Sequence, residues 1–280
     1  MLLSAELVSK RGLLEERIWT LGRTLIAYSG GVDSAYLAWI GHQLLKRDMI
    51  AVIADSPSLS RTQLADAIEF ANEQKIPFQI ISTQELDRPE YARNDGSRCY
   101  FCKHELFTIM EEFRTDRQFD SIAYGVNADD QADFRPGQFA AEQHNVRAPL
   151  LEAGLSKHEI RQLAHDAGLR IWDKPASACL SSRIEYGLPV TREALAVVER
   201  GEDALHSLGF RQIRVRHHGE IVRIEIAPDE LPRALSAEMA ASFTRIFKDL
   251  GFKFVTLDLE GFRSGSMNAL LPFSLLRRKD

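Results

Sequence analysis

Short apolar segments alternate with longer helical segments along roughly the first 180 residues of the chain. The predicted strands lie at 24–28, 49–55, 77–83 and 120–127, and the predicted helices at 33–47, 60–75 and 103–114. The strands are apolar runs without polar alternation, which is typical of a parallel sheet covered on both faces. We therefore predict an open, doubly wound α/β domain that binds ligands at the carboxyl ends of its strands.

The pattern changes beyond the segment YGLPVT at 186–191. A helix at 191–208, the adjacent strands RQIRVRHH and EIVRIEIAP, a helix at 229–249 and a strand at 252–259 follow in that order. This αββαβ order predicts a smaller α+β domain. We divide the chain into one domain at 1–187 and a second at 188–280.

Composition and charge narrow the class of protein. The net charge of −5 leaves no excess of positive charge to bind the phosphate backbone of a nucleic acid, so we expect no nucleic-acid partner. Charges interrupt the first apolar residues, and no later run reaches the ~18 residues of a membrane span. We therefore expect a cytoplasmic protein with no membrane partner. Three cysteines are too few for a disulfide framework, which favours metal or catalytic roles.

The segment SGGVDS at 29–34 follows a predicted strand and opens a predicted helix. Free backbone N–H groups and the helix dipole bind anions at such a turn. Its glycines permit close backbone approach, its serines offer hydroxyl donors, and Asp33 caps the helix or meets phosphate through a metal ion. The simpler interpretation is a structural strand-to-helix turn.

The spelling Ser-Gly-Gly-x-Asp-Ser resembles the pyrophosphate loop of the N-type ATP pyrophosphatases, and it matches neither the usual P-loop nor the dinucleotide fingerprint. The resemblance implies ATP cleavage between the α and β phosphates, adenylation of a carbonyl or carboxylate oxygen, and displacement of AMP by nitrogen or sulfur. It also implies that the turn binds pyrophosphate and that strand ends border the adenosine. The residues assigned to ATP are Ala27, Tyr28, Ser29, Gly30, Gly31, Asp33, Ser34, Ser56 and Gly125.

Cys99 and Cys102 form a C-x-x-C pair just before a predicted helix. In a cytoplasmic protein, such a pair is a redox couple, half of a zinc site or part of an iron–sulfur site. With Cys179, two metal sites are conceivable: a closed zinc site completed by His104, or a cubane cluster in which one iron lacks a protein ligand.

Cys179 lies in a stretch of small residues that suits a loop. A lone cysteine is more often a small buried hydrophobe than a nucleophile. The nearby cations Lys174 and Arg183 favour a thiolate and therefore a functional role.

Five separated motifs, in order, resemble the LarE family of ATP-dependent sulfur transferases: SGGVDS, GVNADDQADFRPG, KPASACLSSRIEYG, RVRHH and LEGFRSGSMN. The similarity spans nearly the whole chain. The resemblance implies that ATP, with Mg²⁺, adenylates a carboxylate of pyridinium-3,5-biscarboxylic acid mononucleotide. Sulfur then replaces an oxygen to give the thiocarboxylate of the nickel-pincer nucleotide.

The LarE family has two forms. In the sacrificial form, the cysteine aligned with Cys179 gives up its own sulfur and becomes dehydroalanine. In the other form, three cysteines hold a [4Fe-4S] cluster whose open iron binds an extra sulfide from a sulfide donor. The set Cys99, Cys102 and Cys179 resembles the second form, which implies that all three are cluster ligands and that Cys179 is catalytic.

Acidic residues follow the predicted strand at 120–127. Asp129, Asp130 and Asp133 can hold a magnesium ion on the phosphates, and we assign Asp130 as a magnesium ligand. Arg135 can meet a phosphate or a carboxylate. The plain alternative is an acidic loop with local turns and one salt bridge.

Arg214 and Arg216 alternate on a predicted strand and so share one face. Two such arginines alone are usually solvated, but the resemblance favours a clamp on the phosphate of the mononucleotide. It also aligns Glu202 and Glu225 with acidic positions near the sulfur site. The residues assigned to the substrate are Ser182, Arg183, Arg214, Arg216 and Arg263.

Two rival functions share the predicted fold. A tRNA thiolase would pair a similar loop with cysteines, but the acidic balance of the chain disfavours it. An ammonia-using amide ligase would need no cysteine. The resemblance also implies a homo-oligomer, hexamers included.

Overall fold

The computed structural model describes residues 3–132, 136–175, 178–263 and 266–267. The chain divides into two compact units. The first contains the residues up to Glu85 and those from Cys99 to 177, and the second contains Leu86–Arg98 and the residues from 178 onward. The division into independent domains at residue 187 stays a prediction.

A parallel sheet forms the centre of the first unit. Its strands are β1 (Thr24–Ala27), β2 (Met49–Asp55), β3 (Phe78–Ser82) and β4 (Ser121–Tyr124). Their order is β3-β2-β1-β4, and Thr24 is in register with Met49 on one side and Ser121 on the other. The predicted strands and the predicted α/β class are confirmed.

Helices cover both faces of this sheet. The helices of the first unit are α1 (Ala5–Trp19), α2 (Val32–Leu45), α3 (Arg61–Glu73), α5 (Arg98–Arg117, from Cys99 onward), α6 (Pro136–Gln143), α7 (Pro149–Glu152) and α8 (Lys157–Asp166), whereas the short helix α4 (Pro89–Ala92) belongs to the second unit. Ile26 packs in one core with Leu37 of α2. Its neighbour Leu25 packs in a second core with Phe107 of α5 and Ala140 of α6. The apolar run in β1 thus serves two cores, as expected for a doubly wound sheet.

Helix α5 begins earlier than the predicted helix at 103–114. No glycine or proline occurs between Gly96 and the end of this helix, so nothing stops it from starting at Arg98. Cys99 and Cys102 therefore lie within the first turns of α5 rather than in the loop before it.

The second unit contains a three-stranded mixed sheet. Its elements after residue 190 are α9 (Arg192–Ser207), β5 (Ile213–His218), β6 (Ile221–Ile226), α10 (Leu231–Ala234), α11 (Ala237–Asp249) and β7 (Phe254–Leu257). Strand β6 pairs antiparallel with β5 and parallel with β7. The predicted helix at 229–249 is split, because the Ser236 hydroxyl accepts the N–H of Met239 and starts a new helix. No helix in the described part of the chain is long and apolar enough to cross a bilayer.

Candidate active site

The glycine-rich turn joins β1 to α2 at the carboxyl end of a central strand. Gly30 has a φ of +74°, which favours glycine. A side chain at Gly30 would also place its Cβ 2.9 Å from the Cβ of Ala67. Gly31 is extended and caps α2 with its backbone. Gly30 is therefore required by the tightness of the turn and its contact with α3, whereas a Cβ on Gly31 would meet only the Ser29 hydroxyl at 3.6 Å.

Hydrogen-bond donors of this turn remain available to a ligand. The N–H groups of Gly30 and Gly31 have no acceptor among the described residues. The Ser34 hydroxyl accepts the N–H of Ser29 at 3.2 Å and donates to the Gly31 carbonyl at 3.1 Å. The Ser29 hydroxyl lies 3.1 Å from that of Ser34. The two hydroxyls brace the turn, while its amides can bind an anion at the positive end of α2.

Gly125 brings the end of β4 against the start of α2. A Cβ on Gly125 would lie 2.7 Å from the nitrogen of Ser34 and 2.8 Å from its Cα. Because these are backbone atoms that cannot move aside, only glycine fits here. This close approach places the loop that follows Gly125 beside the glycine-rich turn.

Asp33 is the charged group of the turn. Lys157 Nζ lies 2.6 Å from Asp33 Oδ2, and Asn127 Nδ2 donates to the same oxygen at 3.2 Å. Asp33 Oδ1 is buried and has no partner among the described residues. Burial raises the pKa of Asp33, and the ammonium of Lys157 opposes that rise. A buried oxygen without a donor is costly, so Oδ1 suits a ligand that brings a cation, such as Mg²⁺ with ATP.

Lys157 is a candidate site residue that the sequence analysis missed. It is the first residue of α8, which begins with a capping box between Ser156 and Glu159. The S-x-x-E pattern is visible in the sequence and predicts the start of a helix. Nothing in that pattern shows that the helix starts beside Asp33, which is 124 residues away along the chain.

Two carboxylates of the acidic loop after β4 accept backbone N–H groups. Asp130 Oδ2 accepts the N–H of Asn127 at 3.1 Å, and Asp129 Oδ2 accepts the N–H of Lys157 at 2.8 Å. The Asp130 contact fits the plain interpretation of a local turn, whereas Asp129 accepts from the first residue of α8, 28 residues along the chain. The magnesium role of Asp130 stays a prediction. Asp133 and Arg135 lie outside the described residues.

The residues expected to border adenosine lie at the ends of β1 and β2, where Ala27 is the last residue of β1. The buried Tyr28 donates its hydroxyl to the Ala67 carbonyl at 3.1 Å, and burial raises its pKa. Ser56 is buried and donates to the carboxylate of Glu85. Both side chains are therefore held within the protein. Only the backbone at these positions is a candidate for adenosine contact.

Cys99 and Cys102 are three residues apart on α5 and so lie on one side of the helix. His104 is rotated by about 140° from Cys99 and about 200° from Cys102 around the helix axis. This rotation argues against a zinc site in which His104 joins the two cysteines, and the His104 Nδ1 lies 2.9 Å from Nε2 of His144. Among the described residues, no three His, Cys, Asp or Glu side chains gather as metal ligands. The C-x-x-C pair suits two iron ligands, and the cluster stays a prediction.

Cys179 directly precedes a short 3-10 turn, Leu180–Arg183. The buried Arg183 donates to the carbonyls of Ala178 and Cys179 at 2.5 and 2.9 Å. It also contacts both carboxylate oxygens of Glu202, at 3.0 and 3.1 Å. Arg183 therefore fixes the backbone that presents Cys179. The other cation predicted near Cys179, Lys174, pairs with Asp66 at 3.2 Å.

Two of the other arginines assigned to the substrate already have acidic partners. Arg216 is buried, donates to Glu225 at 2.8 Å and contacts the Ser182 carbonyl at 3.1 Å. Arg263 is exposed and pairs with Asp258 at 3.2 Å. Their charges are thus neutralised within the protein.

Arg214 is half-buried, and its Nη1 donates to the Ile213 carbonyl at 2.7 Å. Burial first, and then the positive charge of Arg183, lower its pKa to about 10, although Glu202 acts in the opposite direction. Its guanidinium lies 4.9 Å from the centre of the Phe262 ring. A bound anion near Arg214 would oppose this lowering of its pKa.

The fold and the turn together define the class. A parallel sheet with Ser-Gly-Gly-x-Asp-Ser between a central strand and a helix is the arrangement of α/β proteins with a pyrophosphate loop. The glutamine-hydrolyzing GMP synthase of Synechocystis sp. is 27% identical over 172 residues, which are 52% of this chain and 32% of that protein. No family model matches the chain.

Two relatives that match along their full length identify the family. The chain is 33% identical over 271 residues to the pyridinium-3,5-bisthiocarboxylic acid mononucleotide synthase of Lactiplantibacillus plantarum, which covers 95% of this chain and 96% of that protein. An uncharacterized protein of Synechocystis sp. is 40% identical over 265 residues, which are 95% of this chain and 99% of that protein. The chain belongs to the LarE family, as the motifs predicted.

Proposed function

We propose that this protein is an ATP-dependent sulfur insertase that converts a carboxylate of pyridinium-3,5-biscarboxylic acid mononucleotide into a thiocarboxylate. Membership of the LarE family supports this, because the Lactiplantibacillus plantarum relative is named as synthase of the bisthiocarboxylic nucleotide. The observation that carries the proposal is the turn at 29–34, with its available N–H groups and the buried, unpartnered Asp33 Oδ1. Activation of a carboxylate by ATP needs such a site for the departing pyrophosphate.

In the first step, a carboxylate oxygen of the nucleotide attacks the α phosphorus of ATP. The bond from that phosphorus to the bridging oxygen breaks, and pyrophosphate leaves with the electron pair. The amides of Gly30 and Gly31 and the ammonium of Lys157 stabilise the charge that develops on pyrophosphate. When bound, Mg²⁺ neutralises part of the phosphate charge, with Asp33 and Asp130 as candidate ligands.

In the second step, a sulfur nucleophile attacks the carbonyl carbon of the acyl adenylate, and AMP leaves. Arg183, held by Glu202, positions the Cys179 turn for this step. A [4Fe-4S] cluster on Cys99, Cys102 and Cys179 would supply sulfide, drawn from a sulfide donor, at its iron without a protein ligand. In the alternative, sacrificial course, Cys179 is itself the sulfur donor.

We assign the phosphate of the mononucleotide to Arg214, which lies on β5 two residues before Arg216 and has its guanidinium 4.9 Å from the centre of the Phe262 ring. Ser182, Arg216 and Arg263 complete the proposed substrate set. Arg183 acts differently, since its contacts hold the Cys179 turn. A cytoplasmic location and a homo-oligomeric state, hexamers included, stay predictions.

The test is anaerobic turnover of the purified protein with ATP, Mg²⁺, sulfide and the biscarboxylate nucleotide. We expect AMP, pyrophosphate and thiocarboxylate, and an intact Cys179 by protein mass spectrometry after several turnovers. Loss of the elements of hydrogen sulfide at Cys179 would establish sacrifice instead. Thiolation of tRNA in place of the nucleotide would move the protein to the rival class, and no sulfur product from either acceptor would refute sulfur insertion.

A matched variant separates the two steps. Cys179→Ser retains every residue assigned to ATP, so it should still exchange labelled pyrophosphate into ATP when the nucleotide is present. It should form no thiocarboxylate. Iron content measured on Cys99→Ala reports on the cluster independently of activity, and it should fall relative to the parent protein.

A further inference from the structure

Glu85 is a buried carboxylate that the two reaction steps proposed above do not use. It lies three residues after β3, and only 1% of its surface is exposed. Its Oε1 accepts the hydroxyl of Ser58 at 3.0 Å and also that of Ser56. The two serine hydroxyls lie 2.8 Å apart, and both side chains are buried. All three residues belong to the first unit, and we call them the carboxylate cluster.

The second oxygen of Glu85 has no donor. Oε2 is buried and makes no hydrogen bond within the described part of the chain. No lysine or arginine among the described residues pairs with Glu85. Arg61, at the start of α3, contacts Asp55 at 2.7 Å and the Ser56 carbonyl at 3.0 Å. A buried carboxylate oxygen without a donor is costly, so Oε2 offers a contact that a ligand can complete.

The carboxylate cluster lies at the same edge of the parallel sheet as the glycine-rich turn. Ser56 directly follows β2 and Glu85 follows β3, while the glycine-rich turn follows β1. These strands are parallel and adjacent in the order β3-β2-β1, so their carboxyl ends share one edge. At a spacing of ~4.8 Å between strands, β3 is about 10 Å from β1, which is the scale of a nucleoside. A nucleotide with its phosphates on the turn can therefore place its nucleoside at the cluster.

The chemistry of Oε2 selects the part of ATP that it can bind. Phosphate oxygens are negative and carry no donor, so a carboxylate without a cation repels them. The nucleoside of ATP offers donors in the 6-amino group of adenine and the 2′ and 3′ hydroxyls of ribose. A hydrogen bond from any of these to a carboxylate is charge-assisted and stronger than a neutral one.

We propose that Glu85 is a specificity-determining residue for ATP. Its Oε2 accepts a hydrogen bond from the nucleoside, while Ser56 and Ser58 hold its Oε1 in place. The proposal rests on the proposed use of ATP and deepens it, because it names a side chain that recognises the nucleoside. It also gives the Ser56 hydroxyl a role, which is to hold Glu85 and not to touch the ligand.

The test is nucleotide binding to the full chain with Mg²⁺, measured by isothermal titration calorimetry without acceptor nucleotide or sulfide. ATP is compared with 2′-deoxy-ATP, 3′-deoxy-ATP and purine riboside triphosphate, each of which lacks one donor. We expect one analogue to bind the parent about tenfold more weakly than ATP, and that analogue identifies the donor. Glu85→Gln retains an acceptor for the two serines but replaces the other oxygen with an amide nitrogen. It should bind ATP about tenfold more weakly than the parent does, and ATP and that analogue equally.

Glu105→Gln is the matched control. Glu105 is also buried and accepts the N–H of Gln84 at 2.5 Å, so the change disturbs the segment beside Glu85 and keeps its carboxylate. This variant should retain the preference of the parent for ATP over the analogue. Thermal unfolding checks every variant. Glu85→Asp, which withdraws the oxygens by one methylene, replaces Glu85→Gln if that variant does not fold.

Equal binding of all four nucleotides to the parent would overturn the proposal, as would a folded Glu85 variant that keeps the preference of the parent. Absence of ATP binding to the parent would refute both the proposed ATP step and the role of Glu85. The measurement needs no sulfur chemistry. A chain that shows the preference but makes no thiocarboxylate would refute sulfur insertion and keep the role of Glu85. Thiocarboxylate formation without the preference would do the reverse.

Discussion

The glycine-rich turn at 29–34 and the turn after Cys179 both contain buried charges, but the partners of those charges differ. At the glycine-rich turn, Asp33 Oδ1 and two backbone amides lack partners among the described residues. At the Cys179 turn, Arg183 meets both oxygens of Glu202, and Arg216 meets Glu225. In that cluster, only Arg216 Nε lacks a partner in the described chain. One region leaves polar groups that a ligand could satisfy, whereas the other is nearly complete without one.

The difference separates binding from positioning. Buried polar groups without partners mark a place where a ligand supplies the missing contacts. Buried ion pairs contribute little net stability, but removal of one partner is severely destabilising. Charges near Cys179 should therefore matter first for the fold, and charges near Asp33 for the use of ATP.

The largest expected effect is on stability, from Arg183→Met. This change leaves the carboxylate of Glu202, which is 12% exposed, without its guanidinium. The free energy of unfolding should fall by about 3–5 kcal/mol. Urea denaturation followed by circular dichroism measures it.

The control for Arg183 is Arg192→Met in the same unit. Arg192 pairs with Asp87 at 3.5 Å, and both side chains are more than half exposed. Its loss should cost less than about 1 kcal/mol. Equal losses from the two variants would show that the Cys179 turn does not depend on its buried pair.

Lys157→Ala should give the next largest effect, and we expect its main effect on the use of ATP. Loss of this ammonium removes a preorganised charge for the departing pyrophosphate, so kcat/KM for ATP should fall about 100-fold. The exchange of labelled pyrophosphate into ATP measures it. Lys10→Ala is the control. Lys10 lies in α1 and pairs at 2.7 Å with Glu159 of α8, the helix that begins at Lys157. An equal fall in both variants would point to a weakened α8 instead of a lost phosphate contact.

Much of this comparison could be predicted from the sequence, because its signals are local. The apolar strands, the Ser-Gly-Gly turn and the cysteine spacing each occupy a few consecutive residues. The partners of the charges are not local: Lys157 meets Asp33 across 124 residues, and Tyr91 meets Ser181 across 90. The sequence indicated Arg183 as functional but could not show that Glu202 neutralises it. Such pairings depend on the tertiary fold, which residue spacing alone does not specify.

Asp33→Asn should stabilise the fold and impair the use of ATP, whereas Arg183→Met should destabilise the fold. Burial raises the pKa of Asp33 above its ordinary 3.8, so the folded protein binds a proton more tightly there than the unfolded chain. Wild-type stability should therefore fall as pH rises from 3.8 through the raised value, since the ionised group is costly to bury. The variant lacks this slope and should be about 1 kcal/mol more stable at pH 7. It should also use ATP poorly.

Urea denaturation at pH 4, 5.5 and 7 tests the Asp33 prediction. The difference between variant and wild type should be largest at pH 7 and shrink as pH falls, because wild-type Asp33 becomes neutral there. A variant less stable than wild type at pH 7 would show that the ion pair with Lys157 outweighs the cost of burial. Asp33 would then resemble the Cys179 cluster rather than a ligand site.

The smallest expected effect is that of Arg263→Ala. Arg263 is exposed, and its partner Asp258 keeps a second cation, Arg223, at 2.6 Å. The free energy of unfolding should therefore change by less than about 0.5 kcal/mol. If Arg263 holds the substrate phosphate, KM for the mononucleotide rises while kcat is unchanged, the signature of lost uniform binding. Because the fold is scarcely altered, a raised KM can be assigned to a lost contact. An unchanged KM would remove Arg263 from the substrate set and leave phosphate binding to the other assigned residues, Arg214 among them.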